Sequence, residues 1–292
     1  MKILITGATG IIGKKLIDFI VPFGHSISVL IKEEDRAKFQ DQRVVCVVGD
    51  LLNKNSLDKA TVDMDVVVHM AGITHTNITK LYFSINTEGT KNLLESCKKN
   101  NTKRFIYLSS RTASSDGGGY AYSKLLAEQA VKNFFNEWVV LRPAEVYGAG
   151  DKEAIARLVR IIRKARFIPI VGDGSYTLCP VYIDDVIHAI IKVIEEPKAN
   201  KKTYVIGGPN EYSLEEIIDI ISKQLNIFKI RVHIPIFMIK VLAYALSICK
   251  KDFVVRDQVP RLLCKKSGDI DPARKDFGYS PIPFKKGIKK IL

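Results

Sequence analysis

The tightest constraint on the fold lies at the start of the chain. Gly7, Gly10 and Gly13 stand three apart between the apolar run Lys2-Ile-Leu-Ile-Thr6 and a stretch of helical apolar period from Ile11 to about Phe23. A short apolar run followed by a glycine turn and an amphipathic segment predicts strand, loop and helix in that order. Gly7 permits the tight turn, Gly10 lets backbone come close to a pyrophosphate, and Gly13 lets the new helix lie against the strand with its amides facing the anion. Glycine turns join strands to helices in many folds. Here a second apolar strand, Ser26 to Ile31, completes a βαβ unit, and that setting points to a dinucleotide site.

Further short, mostly β-branched runs follow at Val44 to Val48, Val66 to His69, Arg104 to Ser109 and Trp138 to Arg142. Helical stretches, Ile85 to about Lys99 and Tyr120 to about Phe135, fall between several of them. Near-continuous apolar strands alternating with helices predict a parallel sheet covered on both faces, a doubly wound α/β architecture. Beyond Gly148 the pattern becomes helix-rich, with Ala154 to Lys164, Asp184 to Glu195 and Ser213 to Leu225, and short strands near Thr203 to Ile206 and Arg231 to His233. The expected organisation is a nucleotide-binding domain over residues 1–150 and a smaller α/β, mainly substrate-binding, domain over 151–292. The strand and helix near 181–206 are candidates to return to the first domain. Asp184 and Asp185 are expected to cap the helix they precede.

Composition narrows the function classes. Hydrophobic residues make up 47% of the chain and charged residues 26%, which suits a globular enzyme and argues against disorder. The net charge of +14 raises the question of nucleic acid, but the basic residues are spread along the chain rather than clustered on one element, so a solvated basic surface is expected and no nucleic-acid partner. No apolar run reaches roughly 18 residues and the chain starts directly on a strand, so no membrane span and a cytoplasmic location are expected. The segment from Ile234 to Lys251 is apolar, interrupted by Lys240. It reads either as a helix on the substrate domain started by Pro235 or as a membrane-interface segment. Five scattered cysteines, odd in number and without a C-x-x-C pair, read as reduced thiols; no metal constellation is expected.

Tyr120-Ala-Tyr-Ser-Lys124 places a tyrosine and a lysine four apart at a helix start, on one face. A phenol with an ordinary pKa near ~10 carries protons poorly at neutral pH unless a cation favours its phenolate, the part Lys124 can play. Upstream, Ser109 and Ser110 end a strand at the carboxyl edge of the sheet, where open α/β folds bind ligands. His69, in an apolar run at a strand end, reads as a packed, hydrogen-bonded residue.

These residues, with Gly49-Asp-Leu51, His69-Met-Ala-Gly72, Asn86-Thr-Glu-Gly-Thr90, Glu128, Leu141-Arg-Pro-x-x-Val-Tyr-Gly148, Val181-Tyr-Ile-Asp-Asp-Val186 and Asp271-Pro-Ala-Arg-Lys-Asp-Phe-Gly-Tyr-Ser-Pro281, resemble the extended short-chain dehydrogenase/reductase family of nucleotide-sugar epimerases, dehydratases and ketoreductases. The resemblance covers most of the chain and implies a Rossmann-type fold. It implies that Ser110 and Tyr120 hydrogen-bond the reacting oxygen while Lys124 binds the nicotinamide ribose. The implied cofactor contacts are Gly7, Thr9, Gly10, Ile11, Ile12 and Gly13 of the loop, Asp50 and Leu51 at the adenine, Ala71 and Gly72 beneath the cofactor, and Tyr120, Lys124 and Pro143.

Family members that prefer NAD usually end the second strand in an acidic residue. Ile31 stands there, followed by Lys32, which can meet a 2′-phosphate, so the cofactor is read as NAD(P), leaning to NADP; Glu33, Glu34 and Asp35 weigh against this. Two family positions that touch the sugar nucleotide are replaced by Glu145 and Leu178, and the loop from Ser110 to Tyr120, which holds Arg111 as a further candidate substrate contact, is short and glycine-rich. Arg256 and Arg261 either supply the missing diphosphate contact or form surface salt bridges. The expected substrate is a nucleotide-activated hexose, handled by a 4-ketoreductase or a 4-epimerase in a chain that, like its relatives, pairs into a homodimer. Two alternatives stand beside it: reduction of a lipid or sterol-like ketone, and a non-catalytic member that binds NAD(P) within an assembly or binds RNA.

Overall fold

A computed structural model of the chain describes residues 1–37, 39–134, 136–150, 154–174, 176–238 and 258–292. Its centre is a seven-stranded sheet of β1 (Lys2–Thr6), β2 (Ser26–Ile31), β3 (Val45–Val48), β4 (Val66–His69), β5 (Arg104–Leu108), β6 (Glu137–Pro143) and β7 (Lys202–Ile206). The order is β7-β6-β5-β4-β1-β2-β3 and every pairing is parallel. The strand order reverses at β1, so the loops after β1 and β4 splay apart and open a crevice above the carboxyl ends.

Strands β1, β2 and β4 to β6 read as near-continuous apolar runs because both faces are covered, while the edge strands β3 and β7 are partly exposed. One face packs on α1 (Ile11–Ile20) and α2 (Ile183–Glu195), through Leu16, Ile17, Ile187 and Ile190. The other packs on α3 (Gly89–Lys99) and α4 (Gly118–Lys132), through Leu93, Cys97, Ala127 and Val131. A third core, built from Ile155, Val159, Ile168, Ile170, Ile217, Ile221 and Phe284, lies beyond the sheet. The chain returns from that lobe for α2 and β7, and again at the helix Asp271–Phe277, whose Ala273 and Phe277 join the first core.

Two local features depart from the pattern read in the sequence. The segment before α3 runs as a π-helical stretch, Tyr82–Glu88, where an α-helix from Ile85 was expected. Asp184 and Asp185 do not cap α2: both lie in its first turn, Asp184 pairing with Lys15 and the Asp185 carboxylate accepting the Ile282 N–H at 3.0 Å. All of the apolar segment past Met238 lies outside the described residues. No helix among the described residues is long and apolar enough to cross a membrane.

Candidate active site

The carboxyl ends of the strands open into a cleft of about 540 Å³, bounded on one side by the glycine loop and on the other by Tyr120, Lys124 and the lobe beyond the sheet. Gly7 has φ +77°, and an ideal Cβ there would lie 2.7 Å from the Ala71 amide nitrogen, so only glycine fits the turn and the close approach of the 70–72 loop. A Cβ on Gly13 would collide with the Gly7 carbonyl. At Gly10 the nearest atom to an added Cβ is the Gly7 carbonyl at 3.3 Å, so the bare backbone there faces the cleft. This loop fits the pyrophosphate of a dinucleotide, with α1 starting directly behind it.

His69 ties the loop to its neighbour. Thr90 Oγ1 donates to the Asn86 carbonyl at 2.6 Å and so accepts from His69 Nε2 at 2.9 Å. His69 Nδ1 then accepts from Thr6 Oγ1 at 2.7 Å, and the same oxygen accepts the Met70 and Ala71 amides at 3.2 and 3.1 Å. Every donor has an acceptor only if the imidazole is neutral. Burial holds it there, pulling its pKa to about 3. Asn86 completes the floor: its Oδ1 accepts Ile73 N–H at 2.8 Å and its Nδ2 donates to the Ile73 carbonyl at 3.0 Å.

Tyr120 is buried in the first turn of α4, in an edge-to-face contact with Tyr82 whose ring centres are 5.8 Å apart. The π-helical stretch holds Tyr82 there, a placement with no signal in the apolar period. Lys124 is 5% exposed. Its Nζ donates to the Leu108 carbonyl at 2.7 Å and sits 4.4 Å from the centre of the Tyr107 ring. Burial pulls this ammonium down to about 7, with Glu128 opposing the fall. Glu128, fully buried, is held by Ser109 Oγ at 2.5 Å and by Arg142 through Nε and a terminal nitrogen at 2.8 and 2.6 Å. Both serines reach the cleft, but the Ser109 hydroxyl is spent on Glu128, while that of Ser110 lies 2.8 Å from the Thr112 hydroxyl.

Ser110, Tyr120, Lys124, Gly7, Gly10, Ile11, Ile12, Gly13, Gly72, Pro143, Glu145 and Arg261 all meet at this cleft. Lys32 and Asp50 meet each other beyond the ends of β2 and β3, Nζ 3.6 Å from the carboxylate. Leu51 is buried and Thr9 exposed. Arg111 and Leu178 are not on the cleft wall. The Arg111 guanidinium is buried behind it, bound to Glu145 at 3.1 Å, Glu211 at 2.9 Å and the Thr177 carbonyl at 3.0 Å, because the short loop after β5 turns the side chain under the lobe. Leu178 packs in the lobe's own core. Arg256 lies outside the described residues.

Sequence reasoning missed Thr112, Arg157 and Gln258, which also line the cleft. The alternation Ser110-x-Thr112 was a signal for the first; nothing local marks the other two. Arg261 lies face-on to Tyr120, its Cζ 3.9 Å from the ring centre, and donates to the Thr74 carbonyl at 3.0 Å. Among the described residues no group of three His, Cys, Asp or Glu side chains is placed to hold a metal ion.

A switch-point crevice, a glycine loop at a helix start and a buried tyrosine and lysine on the facing helix define a dinucleotide-binding α/β enzyme. The NAD dependent epimerase/dehydratase family matches residues 3–207, and the chain belongs to it as an enzyme. UDP-glucose 4-epimerase of Vibrio cholerae is 26% identical over 96% of this chain and 90% of its own length. The 3beta-hydroxysteroid-dehydrogenase/decarboxylase isoform 1 of Arabidopsis thaliana is 26% identical over 86% of this chain and 66% of its own. Among solved structures, UDP-glucuronic acid 4-epimerase from Bacillus cereus, in complex with UDP-glucuronic acid and NAD, superposes with a TM-score of 0.79 at 25% identity, over 99% of this chain and 97% of that one.

Proposed function

We propose that this enzyme interconverts an alcohol and a ketone on a nucleotide-activated hexose, as a 4-ketoreductase or a 4-epimerase. The observation that carries the reading is the meeting of Ser110, Tyr120 and Lys124 on the cleft wall opposite the glycine loop. A nicotinamide dinucleotide bound along that loop supplies or accepts the hydride. Tyr120 moves the accompanying proton, giving it to the substrate oxygen on reduction and taking it back on oxidation. Ser110 holds that oxygen by a hydrogen bond. Lys124, charged below about pH 7 in its buried setting, favours the phenolate and returns a proton to it.

Two guanidiniums at the cleft, Arg157 and Arg261, favour a phosphate-bearing substrate. The second reading, a lipid or sterol-like ketone, draws on the apolar part of the same wall, Met70, Ile73, Val146 and Ile183, and on the Arabidopsis relative. Incubation with UDP- and dTDP-hexoses and with hydrophobic ketones separates the two. Turnover of a nucleotide sugar that disappears in Tyr120→Phe, while cofactor still binds, supports the first; turnover of the hydrophobic ketone alone overturns it.

For the cofactor we infer NAD(P), leaning to NADP, because Ile31 offers no carboxylate to a ribose diol and the Lys32 that follows it can meet a 2′-phosphate, with Glu33, Glu34 and Asp35 weighing against this. Lys32→Ala should weaken NADPH several-fold, in line with about 1 kcal/mol for an exposed ion pair, and leave NADH unchanged; equal loss for both cofactors sinks the inference. A homodimer through α3 and α4 is supported by the solvent-facing groove between them, lined by Phe83, Leu94, Leu126 and Ala130. Light scattering that gives a monomer mass would exclude it.

A further inference from the structure

The Tyr120 phenol has two cations near it, and they differ in kind. Lys124 comes from its own helix; one of its three donors goes to the Leu108 carbonyl, and burial leaves the ammonium easily discharged near neutrality. Arg261 comes from the helix Gln258–Leu263, which packs on α4, and sets its guanidinium over the ring with Cζ 3.9 Å from the centre. It is held there at both ends. One terminal nitrogen donates to the Thr74 carbonyl at 3.0 Å, and Lys266 Nζ donates to the Arg261 and Leu262 carbonyls at 3.3 and 2.9 Å, closing the end of the short helix. An arginine in a protein keeps its charge at any working pH. A cation over a phenol ring is attracted more strongly as the ring gains electron density, so it favours phenolate over phenol.

Resting on the proposed proton-carrying part of Tyr120, we propose that Arg261 is a positioning residue for that tyrosine: the guanidinium fixes the ring against the cleft and supplies the lasting positive charge that stabilises its phenolate. Among the described residues on the elements packed against it, the other ionisable groups supply no standing positive charge. Tyr107 on β5 and Tyr82 on the π-helical stretch are phenols themselves. Glu128, one turn beyond Lys124, is neutralised by Arg142, and His75 sits on the loop that Arg261 grips, with its Nδ1 2.9 Å from the Thr74 hydroxyl. The contact also makes the acidity of the tyrosine depend on the lobe beyond the sheet, since the helix carrying Arg261 is part of the far wall of the cleft.

The experiment compares wild type, Arg261→Gln and Arg261→Lys by the pH dependence of kcat/KM in the oxidising direction, with melting temperature and cofactor binding as controls of folding. The Tyr120 phenolate is titrated separately from the ultraviolet difference between each protein and its Tyr120→Phe counterpart, which needs no turnover. In Arg261→Gln the acid limb and the phenolate titration should both move up by about one pH unit, equivalent to about 1.4 kcal/mol. Arg261→Lys, which keeps the charge without the planar guanidinium, should move them by less. An unmoved phenolate titration in both variants overturns the proposal, even if KM rises, and leaves Arg261 as a substrate contact alone. If instead Tyr120→Phe retains full activity, the proton-carrier reading itself fails, a result distinct from any seen with Arg261.

Discussion

The two edges of the central sheet handle buried charge in opposite ways. At the amino edge Arg104, 5% exposed, is saturated: it bonds Glu137 at 2.7 Å and the carbonyls of Val193 and Ile194 at 2.9 Å each, with Glu196 at 3.3 Å. Those carbonyls are the unpaired end of α2, so one guanidinium closes a helix terminus and pins it to β5 and β6. At the carboxyl edge His69 and Glu128 are also fully bonded, but the groups that line the cleft are held less completely. Lys124 keeps one carbonyl, Ser110 a neighbouring hydroxyl, and all of them face the cleft. Saturation makes an edge rigid, whereas partial satisfaction leaves donors for a ligand. The same sheet is a clamp at one end and a site at the other.

The sharpest way to break this contrast is to cut each edge in turn. Tyr120→Phe at the carboxyl edge should lower turnover by on the order of 10²–10⁴-fold with little change in melting temperature; a drop in stability matching the drop in rate would remove the distinction. Arg104→Ala at the amino edge should do the reverse, costing about 2–4 kcal/mol in urea unfolding because it strands several carbonyls, while the folded fraction keeps its kcat. Gly13→Ala tests the hinge between the edges. The new Cβ has nowhere to go but into the Gly7 carbonyl, so α1 must back away by a fraction of an ångström, with a loss of about 1–3 kcal/mol and dinucleotide binding weakened at least about tenfold. Unchanged binding by isothermal titration would show that the loop does not need that contact.

The last effect, seen only on acidification, concerns His69. Its pKa is lowered in the folded protein to about 3, so the neutral ring's contribution is fully present above the unfolded value and declines as pH falls through the window from about 6.5 to 3. Near pH 5 the loss should reach about 2 kcal/mol relative to pH 7. His69→Asn should flatten that part of the stability profile; an equally steep profile in the variant assigns the slope to other groups.

Much of this molecule was legible in the chain because its key groups are local. β1, the glycine loop and α1 are contiguous, and a strand buried on both faces must be apolar throughout, so β2 and β4 were read to the residue. Tyr120 and Lys124 are one helical turn apart, a spacing that survives whatever the helix packs on. What escaped was set by long-range contacts. Arg111 was read as a substrate contact, yet its acceptors Glu211 and Thr177 come from segments 100 and 66 residues further on. The same holds for Asp184, expected at a cap and found bonded to α1 through Lys15. The π-helical stretch at Tyr82–Glu88 escaped because one extra residue per turn shifts side chains without altering composition.

The sequence alone determined the parallel sheet, the dinucleotide loop and the pairing of a tyrosine with a lysine, since hydrophobic period, glycine spacing and helical pitch act between near neighbours. Only the tertiary structure decided which charges are spent on the framework and which face the cleft. That sorting depends on which distant carbonyl or carboxylate folding brings within about 3 Å, the range over which a hydrogen bond forms. Glu128 bound by Arg142, Arg111 buried beneath the lobe and Arg261 laid on Tyr120 are its outcome.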